Sequence, residues 1–158
     1  MGNSGTNLGS LDALNRIVFT SSVHGQVEIH ISNFLPIKLS YEEEMRRHPE
    51  NMYYINALKD DLVADLKLLE AEFEGWKASM RKYAVTQAKR VYSKEEPTLA
   101  DIESVLREMD NWGDYEEKLV ELQSVCDILG DLAQALAHKK TMLEQLAQHE
   151  RYQMSQYS

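Results

Sequence analysis

The chain has 158 residues, the size of one ordinary domain, with 43% hydrophobic and 27% charged residues, a balance that excludes an intrinsically disordered chain. Its formal net charge of −9 argues against blanket nucleic-acid binding but leaves room for a local basic patch. No apolar run approaches the roughly 18 residues that span a bilayer, so no membrane association is expected, and the single cysteine, Cys126, excludes an intrachain disulfide and fits a reducing cytoplasm.

Residues 1–10 are rich in Gly, Ser and Asn with no basic n-region, so a flexible tail is expected and no secretory signal. Ile17-Val18-Phe19-Thr20 is β-branched and aromatic, and Val27-Glu28-Ile29-His30-Ile31-Ser32 alternates apolar with polar, the period of a half-buried strand. Gly25 between them makes a β-hairpin, or failing that an extended arm, the reading for the rest of residues 1–40. Two strands alone are marginal, so the hairpin must pack on something, a partner subunit included. Pro36 ends strand pairing.

Tyr41–His48 reads as a short acidic helix, and Pro49 suits the first turn of the next, where its missing N–H costs nothing. From there Ile55, Leu58, Leu62, Leu66, Leu69, Phe73, Trp76, Met80 and Tyr83 recur at spacings of three and four, one apolar stripe of a helix from about 49 to 92. Gly75 inside it costs ~1 kcal/mol relative to Ala and marks a close approach or a bend. Residues 93–97 connect to a short helix that Thr98 caps, with Asp101 completing a capping box. Asn111-Trp112-Gly113-Asp114 should break it, and a last helix runs from about 114 to 151. There Leu122, Leu129, Leu136 and Leu143 repeat every seven residues, with Leu119, Cys126, Ala133, Lys140 and Ala147 as the companion series. Val125, Ile128, Leu132 and Leu146 widen this seam, so it faces more than one neighbour. The expected fold is mainly α: two long antiparallel helices joined by a short one, with a small N-terminal hairpin. The leucine seam of 122, 129, 136 and 143 is expected to hold copies of the chain in a helical homo-oligomer.

Charge is sorted along the chain. Residues 41–74 carry net −6 and residues 95–158 net −9, yet residues 75–94 hold six basic residues, Lys77, Arg81, Lys82, Lys89, Arg90 and Lys94, and no acidic one. Pairing with the acidic segments gives weak reason for such clustering, because exposed ion pairs contribute only about 0–1 kcal/mol each. An anion site, above all a phosphate backbone, gives a stronger one. Trp76, Tyr83 and Tyr92 interleave with the cations, the mixture single-strand binders use. Trp76 and Tyr83 also lie on the helical seam and are expected in the core, which leaves Tyr92 to stack. On an ideal helix the six cations do not share one narrow face, so a groove between subunits would have to collect them.

Catalytic signatures are not found. The sequence has no GxxxxGK[ST], GxGxxG, CxxC or HExxH, and its five histidines fall at 24, 30, 48, 138 and 149 with no ligand spacing. No metal, no cofactor and no enzymatic activity are expected. Cys126 lies in the seam as a small hydrophobe.

The order of features resembles the UvsY-like recombination mediators of tailed phages. That resemblance rests on an acidic turn leading through a proline into a long helix, here Glu42-Glu43-Glu44, Arg47-His48-Pro49 and Tyr53-Tyr54. It continues through Asp65-Leu66-Lys67-Leu68-Leu69-Glu70-Ala71-Glu72, Pro97-Thr98 with Ile102-Glu103, Asp114-Tyr115, and Ala135-Leu136 with Lys139-Lys140 and Leu143, and covers about residues 37–152. Such proteins are oligomers that bind single-stranded DNA and help load a RecA-like recombinase onto DNA covered by single-strand-binding protein, which would place this chain in the host cell cytoplasm. Their DNA-contact segment, Leu-Lys-Ala-Arg-Leu-Asp-Tyr-Tyr, aligns with Trp76–Tyr83. Lys77 and Tyr83 match, Ser79 stands where the family has arginine, and Arg81 and Lys82 stand where it has aspartate and tyrosine, so the cations are displaced rather than copied. That segment lies inside the basic stretch, so the expected DNA contacts are Lys77, Arg81, Lys82, Lys89, Arg90, Lys94 and Tyr92, with residues 41–158 as the oligomerisation and DNA-binding domain. Two other readings fit the same residues: a phage virion or scaffold protein assembling through its helices and N-terminal arm, and an adaptor whose acidic surfaces mimic nucleic acid.

Overall fold

A computed structural model describes residues 15–157; the tail expected over residues 1–10 lies outside them. Strand β1 (Arg16–Ser21) pairs antiparallel with β2 (Gly25–His30), from Arg16 opposite His30 to Ser21 opposite Gly25. The loop Ser22-Val23-His24 closes on the Ser21 hydroxyl, which accepts from the Val23 and His24 amides at 3.2 and 3.3 Å. Gly25 follows at φ +68°, the left-handed position that a three-residue hairpin loop places there. Alternation then does what the pattern requires. Ile17, Phe19, Val27 and Ile29 are buried, while Arg16 and Glu28 form a bidentate pair (2.7 and 2.9 Å) on the outer face. The hairpin thus finds its packing within the chain, and His24 fastens its turn to Asp61 at 2.8 Å.

A single 3₁₀ turn (Ile31–Asn33) and an irregular connector lead to α1 (Tyr41–Tyr92), about 78 Å long at 1.5 Å per residue. Pro49 does not start a second helix as the sequence led us to expect; it lies inside α1. Its missing N–H removes one helical bond at a cost of about 3 kcal/mol. Burial on both sides offsets this: Glu44 and His48 before it and Ile55, Leu58 and Leu62 after it continue one buried face, while Pro49 itself points to solvent. Three glutamates in the first turn and Lys89 and Arg90 in the last suit the helix dipole.

Helix α2 (Leu99–Arg107) opens with the expected capping box: the Asp101 amide donates to Thr98 Oγ1 (3.2 Å), and the Thr98 amide donates to Asp101 Oδ2 (2.9 Å). The break comes at Glu108-Met109, earlier than expected, and Asn111–Asp114 form the first turn of α3 (Asp110–Gln156). Trp112 is buried in the aromatic core, so its packing holds this turn helical despite Gly113.

The described residues divide into two compact units, one of those up to 62 together with those from 125 onward and the other of residues 63–124. In the first, the buried residues are Ile17, Phe19, Val27 and Ile29 of the hairpin, Ile55, Leu58 and Leu62 of α1, and Cys126, Leu129, Leu132, Leu136 and Leu143 of α3. In the second, Phe73, Ala84, Leu106 and Trp112 are buried, with Trp76, Met80, Ile102 and Tyr115 packed against them. The long helices run antiparallel, Glu44 meeting Lys139 and Phe73 meeting Tyr115.

Gly75 is exposed, and a Cβ built there meets nothing within 4 Å, so it marks no close approach. Gly75→Ala is therefore expected to stabilise the protein by about 1 kcal/mol through helix propensity alone, read as a higher midpoint in urea unfolding; a loss of stability would contradict this placement.

Candidate nucleic-acid interface

The basic segment 75–94 is the C-terminal end of α1 and its exit, within the second unit. The ring of Phe73 anchors it, packed on Trp112 edge-to-face at 5.0 Å, on Tyr115 at 5.0 Å and on Trp76 at 6.0 Å. Trp76 therefore belongs to the core, as the seam predicts. Tyr83 does not: its residue is 49% exposed, while Ala84 and Ala88 are fully buried. From Met80 the buried row advances by fours, 80, 84, 88, and on a helix turning 100° per residue Tyr83 falls one residue off that row. The two alanines give weak hydrophobic signal beside a tyrosine, so the pattern pointed to the wrong residue.

The seven candidate contacts fall into two groups. Lys77 is half-buried, its ammonium over the rings of Phe73 (4.6 Å) and Trp112 (5.6 Å) and paired with Glu74, so it is spent on packing. Lys94 pairs with Asp101 at 2.9 Å and lies 5.7 Å from the centre of the Tyr92 ring. That lysine's hydrogen bond, and those from Thr98, hold the Asp101 carboxyl below its ordinary pKa. Lys94 and Tyr92 thus brace the exit from α1, where Ser93 adopts the left-handed φ of +53°. Arg81, Lys82, Lys89 and Arg90 are different: all four are exposed, and among the described residues none has a carboxylate partner.

Successive positions at 100° spread these four cations around about half of the helix over roughly 14 Å of its axis. Lys82 and Lys89 share one face, and Tyr83 and Arg90 the next, each pair two turns apart. Arg81 stands by the rim of an open groove of about 420 Å³ between α1 and α2, with Ala78, Leu99, Ile102 and Leu106 among its lining residues. The arrangement presents four exposed positive charges and one half-exposed aromatic ring.

The leucines assigned to subunit contacts are placed otherwise. Leu129, Leu136 and Leu143 are fully buried within the chain and Leu122 half-buried, so they are consumed by packing of the chain's own helices. The residues that widened the seam divide: Leu132 is buried, but Ile128 and Leu146 are exposed, as is Met142, one turn before Leu146. No helix among the described residues is long and apolar enough to cross a membrane. No family model matches the chain, and neither does any curated protein or solved structure.

Proposed function

We propose that the chain binds single-stranded DNA through Arg81, Lys82, Lys89 and Arg90, with Tyr83 able to stack on a base, and that it acts as a recombination mediator of the UvsY-like kind its sequence resembles. In that role it works as a homo-oligomer in the host cell cytoplasm and helps a RecA-like recombinase displace single-strand-binding protein. The observation that carries the reading is that these four cations, on a chain of net charge −9, have no carboxylate partner among the described residues, while Lys77, Lys94 and Arg107 do. Cations left unpaired among so many carboxylates are best explained by an anion that is not part of this chain. Oligomerisation would multiply four contacts per subunit into a strong combined site, and the exposed Ile128, Met142 and Leu146 are among the apolar residues available for it.

The mediator role is tested by single-stranded-DNA-dependent ATP hydrolysis of a RecA recombinase on DNA precoated with single-strand-binding protein. Added protein should shorten the lag before steady hydrolysis. An unchanged lag from a preparation that does bind DNA would overturn the mediator reading and leave DNA binding standing. The second reading, an assembly protein, draws on the same exposed apolar residues. It predicts that charge reversal at 81, 82, 89 and 90 disperses the oligomer, whereas the mediator reading predicts that the oligomer survives and DNA binding is lost.

A further inference from the structure

We propose that His48 is a proton-operated latch: neutral, it lets the connector of residues 34–40 close against α1 and α3, and its protonation under mildly acidic conditions releases that connector and with it the root of the hairpin. The connector has no regular structure of its own and is held by a buried ion pair and by the Phe34 ring, which stacks on Tyr54 at 6.3 Å. Lys139 places its ammonium at 2.6 Å from Glu44 Oε2, 2.8 Å from the Phe34 carbonyl and 3.2 Å from the Pro36 carbonyl. Glu44 Oε1 accepts from the Lys38 amide (2.9 Å) and the Leu39 amide (3.2 Å). All three ammonium protons and both carboxylate oxygens are thereby used.

His48 lies one turn along α1 from Glu44, on the same buried face. It is 5% exposed, and neither Nδ1 nor Nε2 has a hydrogen-bond partner among the described residues. A neutral ring in such a place leaves one donor and one acceptor unmet; an imidazolium leaves two donors and a full charge. The charged groups facing it are Glu44 on its own helix and Lys139, Lys140 and Glu144 from α3. Glu44 is committed to Lys139 and the two amides, and Glu144 stands 3.8 Å from Lys140. An imidazolium can reach an acceptor by drawing Glu44 out of its cage or by turning into water, and either movement frees residues 34–40. Pro49, the next residue, lacks the N–H that would bond to the Met45 carbonyl, so the first two turns of α1 are joined to the rest by one bond fewer.

The sign follows from linkage. Burial, then Lys139 and Lys140, lower the His48 pKa from its ordinary 6.5, so the released state binds the proton more tightly. The closed state keeps its full stability above 6.5 and loses it as pH falls from there toward the folded value.

Amide hydrogen exchange of Lys38 and Leu39, corrected for intrinsic rates, reads the latch at about pH 7.5 and about pH 5.2. The lower value stays above the ordinary 4.5 of Glu44. Protection should fall by up to about 20-fold between them, tenfold per pH unit below 6.5 until the folded group itself titrates. In His48→Phe and, independently, His48→Gln, protection should not change with pH. Equal protection at the two pH values in the wild-type protein would overturn the proposal. So would a loss that persists in either folded variant, which would assign it to another histidine.

Discussion

Lys139→Met is expected to destabilise the protein by about 3–5 kcal/mol, the cost of removing one partner from a buried ion pair. In a chain of this size that lowers Tm by roughly 6–20 °C. Three losses coincide. The Glu44 carboxylate stays buried without its cation, and the carbonyls of Phe34 and Pro36 lose their shared donor. Against a typical total stability of about 5–15 kcal/mol, this is a large fraction of the total. Burial alone pushes the Glu44 pKa up, but Lys139 and the Lys38 and Leu39 amides outweigh it and hold it below the ordinary 4.5. The pair's stabilisation is therefore present above 4.5 and lost as pH falls through the folded value. Thermal unfolding of Lys139→Met at pH 7 checks the prediction, and a shift under about 1 kcal/mol would show that water reaches the pair. The double variant Lys139→Met, Glu44→Leu should regain part of the loss, because it leaves no unpaired charge behind.

Substituting alanine at Arg81, Lys82, Lys89 and Arg90 together should abolish the salt-dependent part of single-stranded DNA binding and leave the fold intact. The four side chains are exposed and make no ion pair among the described residues, so each substitution should stay within about 0.5 kcal/mol of neutral for stability. For the wild-type protein, four phosphates at a slope of about −0.7 each give a log–log slope near −2.8, about a 50-fold fall in affinity from 50 to 200 mM salt. The variant at 50 mM should bind at least that much more weakly, with a slope near zero. Lys77→Ala should act differently, costing stability through lost contact with Phe73 and Trp112 while the salt slope changes little.

What could be read from the sequence was what local chemistry fixes. The hairpin follows from alternation around Gly25, the α2 start from the Thr98–Asp101 box, and the long helices from apolar spacing. The misreadings came where tertiary burial overrode a local signal. Pro49 and the Asn111–Asp114 segment are breakers by type, yet burial of Glu44 and His48 beside the one and Trp112 within the other keeps both helical. Lys139 falls at a core spacing with Leu132, Leu136 and Leu143, but a lysine reads as surface unless its buried partner, here 95 residues away, is known. For the candidate site, the basic cluster was legible as composition. Which four of its six cations lack partners was not, because that depends on where Phe73, Trp112 and Asp101 come to lie.

The central claim, that these cations serve a nucleic acid, is tested most directly by fluorescence anisotropy of a labelled single-stranded oligonucleotide titrated with the wild-type protein across 50 to 200 mM salt. The account predicts binding whose log–log salt slope is about −2.8 per engaged subunit and steeper where several subunits engage one strand. No binding at 50 mM salt from folded protein, or binding indifferent to salt, would contradict it.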